Sequence, residues 1–244
     1  MDDLPYGWRG KIGLIYIASA YSMEVEFNKM APQGVTSHTT RVALSDQPEC
    51  FSIEDLSNLK DDVLHATKIL AQAPLNAIAF GCTSGSFVNG PEYDKQLVRS
   101  MESIANIPCT TTATAVVNAL QNMNIQNIAV ATPYTKEVNQ LAKEYFSKAG
   151  FHITNMTGLG IADDYAISEL DSKTIYEMAM NADTEDADAL FLSCTGLSAV
   201  HIIEALEEDL QKPVITSNQA TFWHTLRLSK IASKVKGFGQ LFSY

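Results

Sequence analysis

Two cysteines stand at the same point of the same local pattern. "AIAFGCTSGS" runs from Ala77 to Ser86, and "ALFLSCTGLS" from Ala189 to Ser198. Each is an apolar, strand-like run that ends in Cys-Thr and breaks into small turn-forming residues leading towards a helix. Backbone N–H groups at such a turn, with the dipole of the following helix, stabilise an anion. That anion is either the thiolate itself, with a pKa lowered from about 8.5, or a substrate carboxylate. Cys82 and Cys194 on opposite walls of one cleft would reach one carbon from both faces. They would equally let one thiolate attack while the other thiol delivers a proton. Both are cofactor-free routes to racemisation or cis–trans isomerisation beside a carboxylate.

The remaining chemistry-bearing residues read more plainly. Cys50 and Cys109 fit inert packing, because free cysteine is among the most buried residue types. No two cysteines form a CxxC and no histidines pair at metal-ligand spacing, so neither a zinc centre nor a redox dithiol is expected. His38 and His152 lie in or beside strands, and His65, His201 and His224 in predicted helices; none ends a core strand. Arg41 is the best cation for steering an anion, with an ion-paired surface arginine as the plainer reading. Phe222 and Trp223 read as core, and Glu204–Leu210 as a solvated helix face. "GCTSGS" lacks the lysine and spacing of a phosphate-binding loop, and no GxGxxG follows a strand, so nucleotide binding is not expected.

The elements that must hold the cysteines follow from periodicity. Strands are predicted at Ile12–Ala18, Thr39–Ala43, Ala77–Gly81, Ile128–Thr132, His152–Met156, Ala189–Ser193 and Pro213–Thr216. Helices are predicted at Ile53–Ala71, Tyr93–Ile104, Ala113–Asn122, Thr135–Ala149, Ser172–Ala182, Ser198–Leu210 and Gln219–Leu228. Near-continuous apolar strands imply burial on both faces of a parallel sheet, and their alternation with helices implies a three-layer α/β architecture.

The chain also repeats itself. "KIGLIYIA" (Lys11–Ala18) matches "NIAVATPY" (Asn127–Tyr134), and the Cys82 strand matches the Cys194 strand. "IPCTTTATAVVNAL" (Ile107–Leu120) matches "KPVITSNQATFWHTL" (Lys212–Leu226) as proline, short strand, small polar turn, helix. Two pseudo-symmetric α/β lobes follow, with parallel sheets of four or five strands and the site in the cleft between them. The expected division is residues 1–115 joined by the C-terminal helix (about 219–244), against residues 116–218. Ligands of open α/β sheets bind at the carboxyl ends of strands, where both cysteines fall.

Composition sets the outer bounds. The 244 residues are 46% apolar and 18% charged, ordinary for a compact soluble protein with a real core. The net charge of −11 argues against nucleic acid or an anionic membrane as partner, but leaves room for an anionic substrate in a pocket of opposite local field. "MDDLPYGWRGK" lacks a signal-peptide apolar stretch, and no apolar run approaches the ~20 residues needed to span a bilayer. A cytoplasmic location with free thiols is the expectation.

Taken together, "IGLIYIASAYSME" (Ile12–Glu24), "GCTSGS" (Gly81–Ser86), "ATPYTKEVN" (Ala131–Asn139), "GLGIADD" (Gly158–Asp164), "LSCTGL" (Leu192–Leu197) and "PVITSNQATFWHTLRL" (Pro213–Leu228) resemble the aspartate/glutamate racemase superfamily. The similar branch holds maleate isomerases, arylmalonate decarboxylases and ectoine-utilisation proteins. The resemblance spans nearly the whole chain in family order. It implies a nucleophilic Cys82, where arylmalonate decarboxylases usually carry glycine, and a proton-donating Cys194. It implies that Tyr134 holds a substrate carboxylate, and that the turns at Thr83, Ser84, Thr195 and Gly196 bind carboxylate or enolate oxygens through backbone N–H groups. Ser19 and Asp164 complete the implied substrate contacts. Two positions depart from the maleate isomerase pattern: Ala20 and Asp164 stand where asparagines normally help hold a dicarboxylate. The implied enzyme is a cofactor-independent isomerase or racemase acting on a small carboxylic acid, without metal, and homo-oligomeric. The alternatives are a decarboxylase that uses Cys194 alone, and a non-catalytic metabolite-binding protein.

Overall fold

The computed structural model describes residues 4–45 and 51–244. Cys50 lies outside them. The first half of the chain runs β1 (Gly10–Ile17), α1 (Ser22–Met30), β2 (Val35–Val42), α2 (Ile53–Asn58), α3 (Lys60–Leu70), β3 (Ala77–Gly81), α4 (Thr83–Phe87), α5 (Pro91–Ala105), β4 (Cys109–Thr111) and α6 (Thr112–Asn122). The second half runs β5 (Asn127–Thr132), α7 (Lys136–Lys148), β6 (His152–Gly158), α8 (Asp164–Ser168), α9 (Ser172–Ala182), β7 (Ala189–Leu192), α10 (Ile203–Leu210), β8 (Val214–Thr216) and α11 (Ser217–Leu228), before a final 3-10 turn at Gln240–Ser243.

The strands form two four-stranded sheets, ordered β2-β1-β3-β4 and β6-β5-β7-β8, with every pairing parallel. The second order is the first with each strand replaced by its counterpart in the repeat. Parallel pairing forces each chain reversal through a crossover, and the helices supplying those crossovers cover the sheets.

The central strands are apolar on both faces because both faces are buried. Along β1, Ile12, Leu14 and Tyr16 enter a core continuous with the second lobe, while Ile15 and Ile17 enter a separate core with Val63, Phe80, Leu97 and Met101. The shared core carries Phe27, Phe146, Phe191 and Phe222, so the lobes meet through packed side chains. Helix α11 lies against α1, α6, β3 and β4 as well as its own strand β8.

Several predicted elements are corrected. The edge strands β2 and β6 are polar and half-exposed, "VTSHTTRV" and "HITNMTG", because an edge strand has one neighbour and thinner cover. This is why β2 is legible only over its last residues and begins four positions earlier, at Val35. The predicted helix Ile53–Ala71 is two helices, α2 capped by a Ser52–Asp55 capping box and α3 restarting at Lys60. Residues 198–202 are not helical, with a turn at 200–202, so α10 starts only at Ile203 and His201 lies outside it. Helices α1, α4 and α8 are additions to the predicted set; the last two have only five residues each, too short for periodicity to register.

Candidate active site

Cys82 directly follows β3 and caps α4. Its Sγ accepts the Gly85 N–H at 3.3 Å, and the Ser84 hydroxyl lies at 3.8 Å. Gly85 makes this approach possible: a Cβ there would stand 3.0 Å from the Cys82 sulfur and 2.9 Å from Leu59. Cys194 follows β7 and takes the equivalent bond, its Sγ accepting the Gly196 N–H at 3.3 Å. Each thiol is thus held by an N–H of the turn that follows it, three residues on at Cys82, where a helix begins, and two residues on at Cys194, where none does.

The two turns are joined. The Thr83 hydroxyl donates to Ser217 Oγ at 2.9 Å, and the same Ser217 oxygen accepts the Cys194 N–H at 3.1 Å. Ser217 begins α11, so one hydroxyl couples the cysteine turns of the two lobes. Tyr134, two residues past β5, is 2% exposed, and its hydroxyl makes no well-formed hydrogen bond, with the Cys194 thiol and the Thr83 side chain beside it. It lies beside both thiols, and burial is the main cause that pushes its pKa well up.

The lowered thiol pKa values expected from the turn motif are corrected. Burial pushes Cys82 up to about 11 and Cys194 up to about 12; the turn N–H groups oppose this only in part, and Asp164 adds to it. Cys82 is 5% exposed and Cys194 8%, so desolvation of a thiolate outweighs one amide dipole. Both are thiols at neutral pH. Cys109, also pushed up to about 12 by burial, begins β4 and packs into the core that holds Val63, Phe80 and Met101.

Asp164, the first residue of α8, closes the cleft from the second lobe. Its Oδ2 accepts the Ser19 hydroxyl at 2.5 Å across the lobes, and among the described residues no cation pairs with it. Burial is the main cause of its raised pKa. A second bond crosses beside it, from the Tyr21 hydroxyl to Glu169 at 2.6 Å. Arg41 proves ion-paired, its guanidinium forked onto Glu24 while Nη1 donates to the Ala18 and Ala20 carbonyls. It shapes the loop that carries Ser19 rather than facing the thiols. The sequence-predicted contacts Ser19, Thr83, Ser84, Tyr134, Asp164, Thr195 and Gly196 thus lie in the strand-end loops and turns at one end of the two sheets.

The histidines stay out of the site: His224 Nδ1 pairs with the Thr110 hydroxyl, His38 with Thr36 and His201 with Ser172. A surface groove of about 650 Å³ between α7 and β6 includes Tyr134 but neither cysteine. Among the described residues no group of acidic, histidine and cysteine side chains could hold a metal ion, and no helix is long and apolar enough to cross a membrane.

What sequence reading missed is the support behind Cys194. The carbonyls of its loop are tied to the first lobe and to α11. Thr195 O accepts the Tyr16 hydroxyl at 3.0 Å, Gly196 O the Ser22 hydroxyl at 2.8 Å, and Leu197 O the Asn218 amide at 3.3 Å. A signal existed in "SMEVEFNKM": Met23, Glu26, Phe27 and Met30 share one face at helical spacing, and all four are buried. A carboxylate in an apolar stripe marks a position with a partner to find.

Comparisons with known proteins give the family and the fold. The family model for arylmalonate decarboxylase covers residues 12–242. Arylmalonate decarboxylase of Bordetella bronchiseptica is 32% identical over 181 residues, 73% of this chain and 75% of its own. Maleate isomerase of Pseudomonas putida is 25% identical over 246 residues, 96% of this chain and 97% of its own. Maleate cis-trans isomerase of Nocardia farcinica, solved as a cysteine-to-serine mutant with a covalently bound succinylcysteine intermediate, superposes with a TM-score of 0.89. That match is 21% identical and covers 96% of this chain and 98% of the other.

Proposed function

The chain belongs to the arylmalonate decarboxylase family, and from that premise we propose that it is a cofactor-independent isomerase or racemase acting at a carbon next to a carboxylate. The observation that carries this reading is the matched pair of thiols, each at a strand end and each receiving the N–H of its own turn. A single proton donor needs one such position, whereas this chain has built two.

In the isomerase form, the Cys82 thiol releases its proton to solvent on substrate binding and the thiolate adds to one alkene carbon, the proton returning from solvent once the product leaves. The Cys194 thiol protonates the neighbouring carbon, which leaves a single bond free to rotate. Cys194 then takes the proton back as the carbon–sulfur bond breaks and the trans alkene forms. In the racemase form, one thiolate removes the proton beside the carboxylate and the other thiol returns one to the opposite face. The Tyr134 hydroxyl donates to a carboxylate oxygen, and the N–H groups of the Thr83–Ser84 and Thr195–Gly196 turns receive the developing negative charge. The covalent succinylcysteine of the Nocardia relative supports the addition route. We take residues 1–115 with 219–244 as one lobe and 116–218 as the other; the packing of α11 against α1 supports the return of the last helix to the first lobe, while α6 runs through the boundary at 115.

The substrate we propose carries a protonated amine rather than a second carboxylate. Asp164 supports this: it is 8% exposed, has no cationic partner among the described residues, and its charge raises both thiols. A second carboxylate beside it is repelled, whereas an ammonium pairs with it and offsets the charge that adds to burial in raising the thiols. The 32% identity to a decarboxylase favours one other reading, decarboxylation with Cys194 alone as proton donor.

Proton NMR in D₂O over a set of small carboxylic acids, maleate and amino acids included, tests the proposal. Deuterium entry or isomer formation is expected in wild type, lost in Cys82→Ala and in Cys194→Ala, with an adduct on Cys82 visible by mass spectrometry in the latter. Full activity of Cys82→Ala on a malonate with loss in Cys194→Ala establishes the decarboxylase. Maleate turnover that does not improve in Ala20→Asn with Asp164→Asn removes the role given to Asp164.

A further inference from the structure

Glu26 is 3% exposed, at the middle of α1, where the two lobes meet. Its Oε1 accepts the Val200 N–H at 3.0 Å and its Oε2 the Asn218 side-chain amide at 2.6 Å. The same Asn218 nitrogen reaches Thr195 O at 3.2 Å and Leu197 O at 3.3 Å, while Asn218 Oδ1 has no partner. Three acceptors thus surround one NH₂ group, which fixes which way the amide faces. The carboxyl holds both ends of the segment that begins at Cys194, one end through Asn218 and the other directly at Val200.

We propose that Glu26 is the positioning residue of the Cys194 loop, acting through Asn218 and the Val200 amide. The ionised form suits this role and the protonated form does not. Both Glu26 oxygens face N–H donors, so a proton on either one opposes a donor and breaks one of the two tethers. The ionisable groups near Glu26 are Lys29 on its own helix and Tyr16 from β1; α11 and the loop present amides to it. Burial is the main influence on its titration, pushing Glu26 up to about 7, with the Val200, Asn218 and Ala199 donors and Lys29 opposing it. The loop is therefore tethered above neutral pH and loosened below it. This inference concerns loop position alone and holds whichever reaction the cysteines perform.

The test is site-resolved alkylation by iodoacetamide, followed by peptide mass spectrometry from pH 6 to pH 8.5, on wild type, Glu26→Gln and Asn218→Ala. Loss of one buried hydrogen bond corresponds to about a fivefold change in population. In wild type the ratio of Cys194 to Cys82 alkylation should fall about fivefold as pH rises through about 7. In Glu26→Gln the step should vanish, with the ratio fixed at the high, low-pH value, because the glutamine NH₂ faces a donor at every pH. Asn218→Ala should raise the ratio throughout and shrink the step, and it decides the matter if Glu26→Gln does not fold. Variants that alkylate Cys194 as wild type does at every pH overturn the proposal. So does an equal rise at both cysteines, which reports general loosening rather than a loop held by Glu26.

Discussion

A hydroxyl buried without a partner costs its desolvation and returns nothing until a ligand accepts its proton. Tyr134 is in that position, 2% exposed with no well-formed hydrogen bond at its oxygen, although the ring itself is packed into the core. Removing the oxygen should leave the fold at least as stable and hurt only the function. Tyr134→Phe is expected to unfold at the same or a slightly higher temperature, while kcat/KM on the carboxylate substrate falls about 10- to 100-fold, the range for losing one hydrogen bond to a charged group. A variant that loses stability along with activity would mean the hydroxyl has a structural partner. Asp164 shows the converse case. It has its Ser19 bond, yet its charge is placed where it opposes ionisation of both thiols.

Helix α1 links the folding of one lobe to the site on the other. It buries Met23, Phe27 and Met30 together with Glu26, and Ser22 at its first turn bonds the Gly196 carbonyl. The helix therefore carries a buried acid whose ionisation is unfavourable for stability. The sign follows from the raised pKa, from about 4.5 in the unfolded chain to about 7. The folded protein binds this proton more tightly, so the Glu26 contribution is full below about pH 4.5 and is lost as pH rises to about 7. The size is on the order of 3 kcal/mol. Urea unfolding of wild type and Glu26→Gln should therefore give stabilities whose difference, wild type minus variant, falls across that pH range. A flat difference would show that Glu26 does not titrate there. The loop behind Cys194 is thus held at a cost in stability, as expected of an element that serves the site.

At the scale of the whole molecule, the net charge of −11 sets how substrates arrive. An anion is repelled at long range and that repulsion is screened by salt, whereas a zwitterion is nearly indifferent. For the proposed amine-bearing acid, kcat/KM should stay nearly flat as potassium chloride rises from about 10 to 200 mM, a range over which the Debye length falls from ~30 Å to under 10 Å. A marked rise would identify a substrate of net negative charge. Much of the architecture is legible in the sequence. Alternating apolar runs and helical stretches determine a layered α/β fold, since a strand apolar on both faces must be covered on both. The ordered repeat determines two like sheets, because equal patterns fold to equal orders, and it places Cys82 and Cys194 at equivalent strand ends. Sequence could not determine the thiols' ionisation. A turn's amide lowers a pKa and burial raises it, and only the packed cleft shows that burial is the larger effect. Nor could it show that Tyr16, Ser22, Glu26, Ser217 and Asn218 support the site. They lie far along the chain from their partners, Asn218 and Glu26 at opposite ends of it, and hydrogen bonds between side chains and loop carbonyls leave no periodic trace. Only the apposition of α1 and α11 with the Cys194 loop brings them together.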